Sequence, residues 1–112
     1  MNKFHLTYQD AKEKKWDMVY LSLADKLFIT DKIPAKSIPR LIKNDILAYY
    51  DNKNKQNIVG LIVENVQKKF AKKKRFVTIM DFIDSRKGQE AVNIPLEEKY
   101  FKGISVELNS PD

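Results

Sequence analysis

Between Lys68 and Arg75, six of eight side chains are cationic: Lys68, Lys69, Lys72, Lys73, Lys74 and Arg75. A segment so charged stays at the surface, because an unpaired charge is costly to bury. The apolar stretches on either side, residues 57–66 (NIVGLIVENV) and 76–83 (FVTIMDFI), must then be separate elements joined through solvent. The chain carries 21 basic and 15 acidic side chains, so without these six the two signs balance. The positive field therefore comes from one place, and a concentrated basic segment is a handle for phosphate.

At 112 residues the chain is read as one domain, residues 1–112, long enough for a single core. With 43% hydrophobic and 32% charged residues it suits a soluble globular protein rather than a disordered one. Cysteine is absent, which excludes disulfides and thiolate metal sites and fits a reducing compartment. The first sixteen residues, MNKFHLTYQDAKEKKW, contain no apolar core of signal-peptide length. No apolar run reaches the length of a membrane span, so the expected location is cytoplasmic, with no membrane partner. Lys far outnumbers Arg, and Asn and Ile are abundant. That composition points to an AT-rich coding sequence, such as that of a low-GC bacterium, its mobile elements or a phage.

Thr7 and Asp10 fit a capping box and predict a helix start. Trp16, Val19, Tyr20, Leu23 and Leu27 come next at steps of three and four, which predicts a helix over residues 8–27. The unbroken apolar run MVYLSL permits a buried strand over 18–23 instead. Residues 33–38, punctuated by Pro34 and Pro39, read as a loop. Ser37 as cap and Pro39 in a first turn then lead a second helical stripe through Leu41, Ile42, Ile46, Tyr49 and Tyr50. Residues 51–56 (DNKNKQ) are a polar turn. Residues 57–66 read as a strand in which Gly60 marks a bulge or a close backbone approach, although helical spacing is also satisfied. Residues 76–83 read as a strand with the turn DSRKG after it, 91–94 returning and 100–108 as a last strand. Residues 109–112 are expected to fray. The expected class is α+β: a helical N-terminal half and an antiparallel hairpin or small sheet in the C-terminal half.

The basic run has two candidate geometries. If 57–66 and 75–83 pair, it is the loop of a long hairpin. If 57–74 is a helix, its lysines crowd the last turns, where the helix dipole favours them without any ligand. Residues 60–92, about a third of the chain, resemble the first strands of OB-fold domains such as those of bacterial replicative polymerase large subunits. Gly60, Lys72, Phe76, Asp84 and Gly88 fill that pattern. The resemblance implies oligonucleotide contact through the sheet face and the loop between the first two strands. A winged-helix order competes. It would turn Asn65, Gln67, Lys68 and Lys72 to a duplex groove and make residues 84–88, with Arg86 and Lys87, the wing.

Catalysis has little to draw on. His5 is the sole histidine, and glycines for a phosphate loop are lacking. Asp81 or Asp84 together with Glu97, Glu98 and Lys99 resembles the metal site of restriction-type nucleases, which would imply Mg²⁺ on the carboxylates. A solvated charged segment is the commoner source of that pattern, so neither metal nor cofactor is expected. The sequence reads as a non-catalytic nucleic-acid-binding protein, for DNA before RNA. Phosphates would be held by the six basic residues with Arg86 and Lys87, and bases would stack on Phe70 or Phe76. The alternative is a phage or mobile-element module that binds or inhibits a host protein, in which an exposed apolar patch would matter more than the lysines.

Overall fold

The computed structural model describes residues 6–31, 38–53 and 57–109. The fold is a six-stranded antiparallel sheet in the order β3-β4-β5-β2-β1-β6, with the helices on one face. This corrects the expected helical N-terminal half with a small C-terminal sheet. The sheet is open at β3 and β6, unlike an OB barrel. Five strands precede the longer helices, unlike a winged helix. Among the described residues no helix is long and apolar enough to cross a membrane.

The first expected helix ends after one and a half turns. Helix α1, Tyr8–Glu13, opens with the Thr7/Asp10 capping box, as the sequence predicts. It closes on Lys15, which takes a left-handed φ of 56°. The Trp16 and Lys15 N–H groups then reach back to the carbonyls of Ala11 and Lys12, the two bonds of a Schellman cap. The chain continues into a hairpin, β1 (Asp17–Leu21) and β2 (Lys26–Thr30). The strand that MVYLSL permits is the one that forms. Both faces of this hairpin are apolar, so strand alternation and a helical stripe both fit its sequence.

The second expected helix is also a hairpin, β3 (Arg40–Lys43) and β4 (Ile46–Tyr50), joined by Asn44 and a left-handed Asp45. The Ser37 cap lies outside the described residues. Strand β5, Ile58–Glu64, is a strand as expected and lies between β4 and β2. Gly60 marks an irregularity, as expected, and the group pressed against it is the Thr30 side chain rather than another backbone. The β4–β5 register shifts beside it, and a Cβ on it would meet Thr30 Oγ1 at 2.6 Å.

Two further strand expectations fail in the opposite direction. Helix α2 spans Val77–Asp84 and α3 spans Glu98–Asn109. In α2 the buried side chains are Ile79, Met80 and Ile83, after a buried Phe76. These are helical steps that the β-branched content concealed. In α3, Phe101, Ile104 and Leu108 are buried in the same rhythm. Strand β6, Ala91–Ile94, forms as expected but pairs with β1. The Asn109 side chain bonds both the N–H (3.2 Å) and the carbonyl (3.0 Å) of Leu6, so the expected fraying does not include it.

The inner face carries two apolar rows. Ile94, Met18, Ile29, Leu61 and Ala48 form one; Val92, Tyr20, Leu27, Val63 and Ile46 form the other. All ten belong to the core beneath the helices. The outer face carries a row of its own: Asn93, Val19, Phe28, Ile62, Leu47 and Leu41 lie side by side across all six strands. None of these six belongs to the cluster beneath the helices, although Ile62 is itself buried.

Candidate nucleic-acid interface

The basic run is neither a hairpin loop nor the end of a long helix. It leaves β5 through Asn65, whose φ of 55° turns the chain. It then makes one wide π turn over Val66–Phe70 and one 3₁₀ turn over Lys74–Phe76 before α2. Two acidic turn residues hang it from the sheet. Asp25, left-handed in the β1–β2 turn, accepts the Gln67 N–H on its carboxylate at 2.9 Å and the Val66 N–H on its carbonyl at 3.3 Å. Asp45, left-handed in the β3–β4 turn, accepts the Asn65 side-chain N–H at 2.7 Å and pairs with Lys69. The hydrogen bonds from Lys69 and Asn65 hold the Asp45 carboxyl below its usual range.

The Asp25 carboxylate also accepts the Tyr20 hydroxyl at 2.7 Å. Burial first, and then the bond to Asp25, push the Tyr20 phenol up to about 12. The run and the first hairpin therefore share one acidic anchor.

Glu107 on α3 is the second centre. Its residue is 9% exposed, and one carboxylate oxygen takes Lys73 at 3.0 Å while the other faces Arg75 at 3.5 Å. Lys43 donates to the Glu107 carbonyl at 2.9 Å. Glu107, Lys73 and Lys43, with Asp45, Lys69 and Phe70, line a cavity of about 300 Å³. Two carboxylates thus hold three of the six cations, and opposite charge nearby neutralises their pull on an incoming phosphate. Phe70 and Phe76 are 2% and 1% exposed, and their rings meet at 4.7 Å. They stack on each other in the core and offer no face to a base, against the expectation.

The backbone here is fixed by an unusually close approach. A Cβ on Gly103 of α3 would stand 2.1 Å from the Arg75 carbonyl oxygen. Only a residue without a side chain lets α3 lie against the 3₁₀ turn.

Lys68, Lys72 and Lys74 are exposed, and none of them is paired with a carboxylate among the described residues. Arg86 lies over the Phe82 ring at 4.1 Å, and both it and Lys87 are exposed just past α2. Arg86, Lys87 and Gln67 line one cavity of about 220 Å³, so the run's first turn and the α2 end are neighbours. The sequence expects Arg86 and Lys87 to assist Lys68, and the fold puts them on the same helical side.

Glu97 and Lys99 pair with each other at 3.7 Å, at the start of α3 rather than on a strand. Among the described residues no group of three acidic or imidazole side chains could hold a metal ion. His5 lies outside the described residues.

Sequence reasoning does not single out Asp45 or Glu107. Asn44-Asp45 carries turn chemistry, and Glu107 interrupts an apolar stripe between Ile104 and Leu108, so each leaves a signal. Comparison with protein-family models, with curated proteins and with solved structures gives no match.

Proposed function

We propose that the protein is a non-catalytic binder of nucleic acid that grips phosphates with the cations left over from its own ion pairs. One observation carries the reading: Lys68, Lys72, Lys74, Arg86 and Lys87 are exposed on the helical side without a carboxylate partner among the described residues. The working set is smaller than the run of six. Lys69, Lys73 and Arg75 shape the backbone instead. Recognition of this kind is by phosphate, with no base stacking from Phe70 or Phe76 and little sequence preference.

Anisotropy of labelled single-stranded and duplex DNA between about 50 and 300 mM salt tests this, since five phosphate contacts give a log–log slope of about −4.5. Lys68, Lys72 and Lys74 all changed to Ala should cut the slope by about 3 and weaken binding at every sequence alike. Glu107→Gln should tighten binding at low salt by releasing Lys73 and Arg75. Absence of binding at about 50 mM salt rejects the reading, because counterion release is strongest there.

A second reading, a module that binds another protein, is favoured by a separate observation. The outer sheet face keeps an apolar row with no helix over it among the described residues, where antiparallel sheets ordinarily turn polar residues to water.

A further inference from the structure

The outer row is a continuous feature. Val19 faces Phe28, Phe28 faces Ile62, Ile62 faces Leu47 and Leu47 faces Leu41, one residue on each of five neighbouring strands. Ile62, in the middle of the row, is only 5% exposed, and Val19, Phe28 and Leu47 beside it are half-buried. Leu41, at the β3 edge, is 67% exposed. Leu21 of β1 and Tyr49 of β4 have the same alternation and widen the strip.

The charges around this strip differ from those on the helical side. Lys26 and Glu64 pair at 3.2 Å on one flank, and Asp17 is exposed on the other. The face is close to neutral, whereas the chain's excess of six positive charges is carried by the run on the far layer. Two copies approaching by their helical sides would repel. By their outer faces they would not.

We propose that this face is the interface of a homodimer, two sheets packed face to face about a two-fold axis. Two properties of the face favour a second copy over a foreign protein. The first is self-complementarity. An axis lying in the interface along the Val19–Phe28–Ile62–Leu47 row sets that row on its own copy and turns the Asp17 end of one sheet over the Lys26 end of the other. The second is extent. Six strands about 4.8 Å apart and about five residues long give roughly 500 Å² in projection per copy. Two copies reach roughly 1,000 Å² before side-chain relief is counted, below the ~1,200–2,000 Å² that stable pairs bury and in the range of weak, transient pairs. The pair is therefore reversible, and its two basic layers point away from each other. The inference is independent of nucleic-acid binding and is tested without it.

Sedimentation of the full chain from about 1 to 200 µM should show the mass rising with concentration from 13.1 kDa towards twice that value. Phe28→Glu and Leu41→Glu should each weaken the dimer by about tenfold or more while circular dichroism stays unchanged. Should Phe28→Glu unfold the protein, Leu41→Glu on its exposed edge still decides. A chain that remains monomeric at the highest concentration overturns the proposal and leaves the face to a foreign protein. A dimer that survives in every variant that folds overturns it as well, because the contact then lies elsewhere.

Discussion

Among the described residues four non-glycines take left-handed backbone, Lys15, Asp25, Asp45 and Asn65, and each sits where the chain turns from one element to the next. Asp25, Asp45 and Asn65 recover the strain through side-chain bonds to one another's segments. Lys15 shows no such bond among the described residues; its side chain is exposed and its N–H closes α1. Lys15→Gly should therefore stabilise the protein by about 0.5–1 kcal/mol, read as a shift of the urea midpoint with an unchanged slope. Tyr20 gives a pH signature at the same scale. Its raised pKa means that the neutral phenol is favoured in the native state. The associated stability is complete below the ordinary tyrosine value of about 10 and is lost as pH climbs towards about 12. In absorbance titration a phenol step near pH 12 should belong to Tyr20, and Tyr20→Phe should remove that step and flatten the alkaline loss of stability.

At the scale of elements, α3 lies against the basic run with no room for a side chain at Gly103. A mid-helix Gly→Ala change normally gains about 1 kcal/mol of helix propensity. At Gly103 the new methyl would collide with the Arg75 carbonyl, so α3 must shift or the 3₁₀ turn must yield. Gly103→Ala should lower stability by about 2 kcal/mol, measured by chemical denaturation, and should loosen Arg75 and Lys73 from Glu107. Elements are also where the sequence is least transparent. Residues 16–27 and 38–50 satisfy helical spacing because both faces of these hairpins are apolar, and a strand apolar on both faces has no alternation to read. Residues 76–83 hide a helix behind β-branched side chains, whose strand preference yields to tertiary context. What is legible is local chemistry: the Thr7/Asp10 box, the β5 strand with its Gly60 irregularity and the β6 strand.

Across the whole molecule, the candidate surface is half legible. The sequence locates the basic run and the helpers Arg86 and Lys87. It does not reveal that Asp45 and Glu107, well separated from the run along the chain, claim Lys69, Lys73 and Arg75. Ion pairing across such separations is a property of topology. The outer apolar row is illegible for a related reason, since it exists only once five strands from both halves of the chain are aligned. The result is a slab with two unlike sides, one cationic and one apolar, and a sequence average blends them.

The order of the elements also bears on how the protein is made. Strands β1 to β5 are made before α2 and α3 and can assemble a sheet from near neighbours, but the cover for their inner rows comes from α2 and α3, and β6 reaches back to β1. Until α3 has emerged, the nascent sheet shows greasy surface on both sides at once. A chain of this plan is most exposed to sticking and misassembly between the synthesis of β5 and that of α3, when a holding chaperone would be of most use to it.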